Sequence, residues 1–290
     1  MIKTNIISLT DIKLNLGDSK EVILRALAED IAQGDITSKN IIPEDKSIKA
    51  FIKTKEDGII AGLEIAKLVF DALNENVSIT ANFKDGDTVK SGDIIAELSG
   101  SYRAILTGER TALNFLQRMS GIATKTNMFV NAVKPYDTKI LDTRKTAPGL
   151  RLLDKMAVRL GGGVNHRVGL YDMVMIKDNH IKVAGGIKNA VNKIKQSIGT
   201  QFKIEVETSR IEEVIQAVES EVDIIMLDNM TTEIMRESVK LIAGRALTEA
   251  SGNMTLERVQ EVAQCGVDFI SVGALTHSVE ALDIGLYIRE

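Results

Sequence analysis

Hydrophobic and polar positions follow two different rhythms along this chain. Over residues 19–32, Val22, Leu24, Leu27 and Ile31 stand at helical spacing among charges and predict an amphipathic helix. Gly34-Asp35-Ile36-Thr37-Ser38 predicts a turn, residues 48–54 and 58–60 short strands, and residues 63–73 a second helix. Between Phe83 and Leu98, two Gly-Asp turns flank a short strand and predict a compact β-hairpin unit. No lysine stands at the tip of a paired hairpin there, so a carrier role for a lipoyl or biotin group is not expected. From Thr107 to Val133, Leu113, Leu116, Met119, Ile122 and Ala123 recur at three- and four-residue steps, which predicts one long helix leading into a second domain.

Beyond residue 138 a single design repeats six times: a short apolar strand ends abruptly in polar residues, and a helix follows. The strands are predicted at 139–141, 173–176, 202–206, 223–227, 246–250 and 268–271, with helices over 186–198, 211–218, 231–243 and 256–265. Alternating strands and helices mean a parallel sheet with right-handed crossovers. The expected fold is α/β: an N-terminal α/β sandwich domain over 1–115, joined by 277–290, and an incomplete TIM-like β/α barrel of about six to seven strands over 116–276.

Composition narrows the class. Of 290 residues, 44% are hydrophobic and 26% charged, as in ordinary globular proteins, and the net charge of −4 gives no reason to expect nucleic acid as a partner. The single cysteine, Cys265, cannot form an internal disulfide; it reads as an inert side chain in the middle of a helix. No apolar run approaches the ~20 residues that cross a bilayer. Asp11 and Lys13 interrupt the start Met1–Ser8 before any signal-like core forms, so no membrane partner and a cytoplasmic location are expected.

Charge is unevenly spread. Residues 139–182 hold nine Lys/Arg against four Asp, with His166 and His180 in the same stretch, inside a chain that is acidic as a whole. Such an island suits anions. The strand ends also sort by sign. Strands one and two end in Arg144, Lys145 and Lys177, after Thr143, and His166 and Arg167 come from the loop between them. Strands three and four end in Glu207 and Asp228, and strands five and six in the small turns Ser251-Gly252-Asn253 and Val272-Gly273-Ala274. In β/α barrels these ends build the active site. The cations would hold substrate carboxylates, the acids would accept sugar hydroxyls or hold a divalent metal, and the small turns would offer backbone N–H groups to a phosphate. Any one charged strand end alone is as well explained by a structural ion pair, and Gly161-Gly162-Gly163 by a flexible loop; Met119, Met173, Met175 and Met226 read as core fillers.

Several stretches carry a resemblance. They are 108–114 (GERTALN), 118–124 (RMSGIAT), 142–149 (DTRKTAPG), 161–167 (GGGVNHR), 176–180 (IKDNH), 205–207 (EVE), 227–229 (LDN) and 249–253 (EASGN). In this order they closely resemble the quinolinate phosphoribosyltransferases, over nearly the whole chain. Asn253 stands where many relatives carry a second glycine.

The resemblance implies conversion of quinolinate and 5-phosphoribosyl-1-pyrophosphate (PRPP), with Mg2+, into nicotinate mononucleotide, pyrophosphate and CO2 for NAD synthesis. It implies that Arg144, His166, Arg167 and Lys177 bind the pyridine dicarboxylate and that Lys145 serves the pyrophosphate or a carboxylate. Glu207 and Asp228 would hold the ribose hydroxyls directly or through the metal. Ser251, Gly252, Asn253, Val272, Gly273 and Ala274 would cradle the 5-phosphate. Lys145, Lys177, Glu207 and Asp228 would be the catalytic set. A homodimer is implied, with Arg110 entering the neighbouring subunit's site. Two alternatives remain at this point: a non-catalytic or differently specific paralogue of the molybdate-transport-associated type, and a Schiff-base aldolase using Lys177.

Overall fold

The computed structural model describes residue 9, residues 16–73 and residues 75–289; Met1–Ser8, Asp11 and Lys13, on which the expectation of no signal segment rests, lie outside them. Helix α1 (Lys20–Ile31) buries Ile23 and Leu27. The turn expected at 34–38 is instead the start of a short helix, α2 (Ile36–Ile41), because the Asp35 carboxylate accepts the N–H groups of Thr37 and Ser38 and so caps it. Strands β1 (Ser47–Thr54) and β2 (Gly58–Ile59) precede α3 (Leu63–Ala72), whose first N–H groups are met by Asp85. Then come β3 (Val77–Ala81), β4 (Thr88–Val89), β5 (Ile94–Ser101) and the 32-residue helix α4 (Tyr102–Val133).

The hairpin unit expected over 83–98 does not form as such. Strand β4 pairs with β2, whereas β5 lies between β1 and β3 in a different, antiparallel sheet. The two Gly-Asp turns are real, closed by Asp87 on the Lys84 amide and Asp93 on the Lys90 amide, but they separate strands of different sheets.

Next follow β6 (Lys139–Leu141), α5 (Arg151–Leu160), β7 (Val174–Ile176), α6 (Asp178–Ala184), α7 (Ile187–Ile198), β8 (Ile204–Thr208), α8 (Ile211–Glu219), β9 (Ile224–Asp228), α9 (Thr232–Ile242), β10 (Leu247–Ser251), α10 (Leu256–Ala263), β11 (Phe269–Ser271), α11 (Ala274–His277) and β12 (Ile284–Arg289). Cys265 lies just past α10 rather than inside a helix; it is buried, and burial pushes its thiol pKa up.

Contacts divide the described residues into two compact units. One holds 16–127, 146–162 and 278–289; the other holds residue 9, 128–145 and 163–277. The boundary expected between 115 and 116 falls within α4. In the first unit β12 pairs antiparallel with β1, giving a sheet of order β12-β1-β5-β3.

In the second unit six parallel strands run in the order β6-β11-β10-β9-β8-β7. Strand β11 pairs with β6, so the sheet curls back on itself, and between β6 and β7 the described residues show only an isolated bridge from Leu141 to Val164. This is the incomplete barrel, six-stranded, with its gap at the segment that carries His166 and Arg167. Alternate residues of a strand face the same side, and the inward ones form layers. Met173, Ile224 and Phe269 join Leu9, Leu141 and Val164 in an apolar floor, with Leu247 packed on it. One step up stand Met175, Glu205, Met226 and Glu249. Another step up are Lys177, Glu207, Asp228 and Ser251, at the strand C-termini.

Candidate functional site

That upper layer opens into a cleft of about 750 Å³, a volume suited to small-molecule ligands. Thirteen of the fifteen residues singled out from the sequence line it: Thr143, Arg144, Lys145, His166, Arg167, Lys177, Glu207, Asp228, Ser251, Gly252, Asn253, Gly273 and Ala274. Arg110 and Val272 do not. Arg110 is exposed on α4 in the other unit. Val272 is buried, and its N–H donates to the Leu141 carbonyl (2.9 Å), so the sheet has already claimed that amide.

One wall is cationic. Arg167 is 7% exposed. Burial, and Arg144 close by, lower the Arg167 pKa, while Glu205 and Asp172 oppose the shift. The loop carrying it is held from below. Asp142, fully buried, accepts the His166 N–H (2.8 Å) and the Asn165 side-chain amide (2.6 Å); Asp172 accepts the amides of Val168 and Gly169. Asp142 therefore braces the loop. Lys177 caps α6 at the end of β7, where its N–H donates to His180 Nδ1; its ammonium meets Glu207 Oε2 at 2.5 Å.

His166 sits lower than expected for a direct ligand. It is 4% exposed, and both ring nitrogens have protein partners. Nδ1 accepts the Arg167 N–H (2.8 Å), and Nε2 lies 2.9 Å from Glu205 Oε2 and 3.3 Å from Glu249 Oε2. Burial alone would lower the imidazole pKa, but the Glu249 and Glu205 carboxylates outweigh it and push it up to about 10. The Arg167 amide, however, requires a lone pair on Nδ1. The ring is therefore the neutral tautomer with its proton on Nε2, donated to Glu205. Burial and Glu249 push the Glu205 carboxyl up to about 7.

The same proton decides the metal question for this cluster. Ligand atoms of His166, Glu205 and Glu249 lie within 4.8 Å of one another. With Nδ1 accepting the Arg167 N–H, a metal on Nε2 would require an imidazolate, so the trio is assigned as a hydrogen-bonded cluster.

The remaining walls are acidic and small. Asp228 Oδ2 accepts the Asn229 side-chain amide (2.7 Å), and Asn229 has a left-handed backbone, φ 53°. A Cβ on Gly252 (φ +103°) would fall 2.1 Å from Asn229 Oδ1, so glycine permits the close approach of these two turns. Asn253 has φ 48°, a conformation glycine fills freely and asparagine tolerates best among other residues. Lys145 lies by this small wall: its stem packs at Gly273, where a Cβ would come 3.1 Å from Lys145 Cδ and from the His277 ring.

Comparison with known proteins gives this architecture its context. The family description "Quinolinate phosphoribosyl transferase, N-terminal domain" matches residues 35–120, and its C-terminal counterpart matches residues 122–287. The chain belongs to the quinolinate phosphoribosyltransferase family. Among its relatives is a chloroplastic nicotinate-nucleotide pyrophosphorylase (carboxylating) of Arabidopsis thaliana, 49% identical over 93% of this chain and 83% of that one. A probable nicotinate-nucleotide pyrophosphorylase (carboxylating) of Bacillus subtilis is 47% identical over 92% of each. The solved nicotinate-nucleotide pyrophosphorylase of Francisella tularensis superposes with a TM-score of 0.89 at 41% identity, covering 98% of this chain and all of that one.

Some family motifs prove structural. Ser120 accepts the Ala61 N–H and donates to its carbonyl, and Arg118 grips the buried Asp154 with two 2.9 Å hydrogen bonds. Among residues missed from the sequence, Met175, Met226, Asn229, Glu249, Met254, Thr255, Ser271 and His277 line the cleft, and Glu205 stands behind it. Strand periodicity carried a signal for two of them: Glu205 is two residues before Glu207, and Glu249 two before Ser251, so each shares its neighbour's face. Asn229 follows Asp228 as a residue type favoured in left-handed turns.

Proposed function

We propose that this quinolinate phosphoribosyltransferase family member transfers the phosphoribosyl group of PRPP to quinolinate, with loss of CO2, to give nicotinate mononucleotide and pyrophosphate for NAD synthesis. The observation that carries the reading is the sorting of one cleft into three walls: Arg144, Arg167 and Lys177; Glu207 and Asp228; and the small turns at 251–253 and 273–274.

The chemistry follows from charge. The ribose carbon becomes cationic as pyrophosphate departs, and Glu207 and Asp228 stabilise that charge while engaging the ribose hydroxyls. Arg144, Arg167 and Lys177 hold the two carboxylates, and Lys145 meets the leaving polyanion. Once the pyridine nitrogen is alkylated, the ring accepts the electrons left by CO2, so no protein nucleophile is required. The Schiff-base alternative needs the Lys177 nitrogen free to attack a carbonyl, whereas Glu207 Oε2 holds it.

Glu207 and Asp228 are hard oxygen donors at the cleft mouth, the type that holds Mg2+ through one or two carboxylates together with substrate phosphates. Bound there, Mg2+ would neutralise charge on the departing pyrophosphate. A cytoplasmic homodimer, with Arg110 of one subunit reaching the other's cleft, belongs to the same proposal; the exposure of Arg110 on α4 is compatible with it. No described helix is long and apolar enough to cross a membrane.

The test is incubation with quinolinate, PRPP and Mg2+, following nicotinate mononucleotide and CO2. Stoichiometric formation of both is expected; absence of both would overturn the assignment.

A further inference from the structure

Asn229 joins two walls of the cleft. Its side-chain amide donates to Asp228 Oδ2 (2.7 Å), the one hydrogen bond of that carboxylate among the described residues. Its backbone N–H donates to the Ser251 carbonyl (3.0 Å), and its Oδ1 rests against Gly252, where a Cβ would fall 2.1 Å away. One residue thus touches both the acid wall and the small turn at 251–253, and it lines the cleft itself.

The backbone holds the side chain there. Residue 229 is left-handed, φ 53°, a conformation asparagine adopts more readily than most other residues with a side chain. On its far side Met230 is buried, and the Met230 carbonyl accepts Arg258 Nη2 (3.1 Å). The turn is therefore pinned before and after the amide. The last torsion of an aspartate is soft, so a carboxylate at a strand end wanders unless a partner fixes it. Misplacement of such a group is paid in rate.

The choice of partner also fits the chemistry. Glu207 is held by the Lys177 ammonium, but a cation on Asp228 as well would offset the negative charge that faces the ribose as it becomes cationic. A side-chain amide orients the carboxylate and leaves its charge whole.

We propose that Asn229 is a positioning residue for the transfer step: it fixes the Asp228 carboxylate through Oδ2, leaves Oδ1 for the ribose, and ties that acid to the turn assigned to the 5-phosphate. The proposal rests on assigning Asp228 to the ribose.

Two variants that accept the left-handed backbone test it. Asn229→Gly removes the side chain, whereas Asn229→Asp keeps its size but sets an acceptor against Asp228. Loss of a hydrogen bond to a charged group should lower kcat/KM for PRPP about 10-fold or more in the Gly variant, and further in the Asp variant, with KM for quinolinate within about 2-fold in both. The deciding measurement is a double-mutant cycle with Asp228→Ala. If Asn229 acts through that carboxylate, adding Asn229→Gly to Asp228→Ala should change kcat/KM for PRPP by about 2-fold or less. A residue that only holds the loop would cost the same in both backgrounds. Should the Gly variant not fold, Asn229→Asp taken through the same cycle decides the matter, its loss again confined to the background that retains Asp228.

A Gly variant within about 2-fold of wild type, equal losses in the two backgrounds, or equal damage from Gly and Asp would overturn the proposal. Asp228→Ala alone keeps it distinct from the underlying assignment. If that variant retains near-normal kcat/KM for PRPP, the ribose subsite is misassigned; if it is crippled while the Asn229 variants depart from expectation, only the role of Asn229 fails.

Discussion

Lys177 Nζ and Glu207 Oε2 lie 2.5 Å apart, so the cation assigned to the dicarboxylate and the acid assigned to the ribose are partners before either substrate arrives. A dicarboxylate that takes Lys177 releases Glu207 for the sugar. Occupancy of one subsite should therefore strengthen the other, and reciprocally. Calorimetric titration of PRPP with and without phthalate, an unreactive dicarboxylate, should show about 5-fold tighter binding in its presence. Equal affinities would show that the pair opens without energetic consequence.

The same ion pair is partly open to solvent, 44% for the Lys177 side chain, and exposed pairs contribute about 1 kcal/mol or less to stability. Lys177→Ala should therefore unfold close to the wild-type temperature while kcat/KM for quinolinate falls by about 100-fold or more. Calorimetry and steady-state kinetics on one preparation check both halves.

Nicotinate presents one carboxylate to a wall built for two. Buried guanidinium donors left unpaired discriminate strongly, so kcat/KM for nicotinate should lie at least about 1,000-fold below that for quinolinate. Competition between the two, followed by product chromatography, measures the ratio directly.

Arg118 should prove a stability residue despite its place in a family motif. Asp154 is fully buried, and Arg118→Ala would strand its carboxylate. Breaking such a pair costs about 3 kcal/mol or more, readable as a lower urea midpoint with an unchanged slope.

The buried His166–Glu205–Glu249 cluster gives stability a pH dependence. The folded value of about 7 for Glu205 lies above the ordinary 4.5. A raised value favours the protonated form in the fold. That contribution is complete below the ordinary value and is lost as pH rises through about 7. The melting temperature should fall as pH rises through this range, and Glu249→Gln, which removes one cause of the shift, should flatten the decline.

Much of this site was legible before the structure because β/α barrels expose the ends of their strands. Glu207, Asp228 and Ser251 close β8, β9 and β10, and an abrupt change from apolar to polar marks such an end in any sequence. What escaped lies one layer deeper or depends on backbone conformation. Glu205 and Glu249 look like interruptions of apolar strands until the sheet curls and brings them to His166. Val272 was misjudged because its amide, free by position in a turn, is used by Leu141 across the sheet. Asp35 turned an expected bend into α2, a local effect that a reading by Gly and Asp content alone passes over. The supposed hairpin at 83–98 failed for a related reason: turn chemistry marks where a strand stops but not which strand it will pair with.

Strand β12 pairs with β1 across 230 to 240 positions of sequence, from Thr54 opposite Ile284 to Lys49 opposite Arg289. During synthesis, β1 must wait with one edge bare while every β/α unit is made, and an unpaired edge invites association with other chains. Fusions or truncations that touch residues 284–289 should therefore harm yield and solubility more than catalysis, since the clefts of correctly finished molecules would be intact.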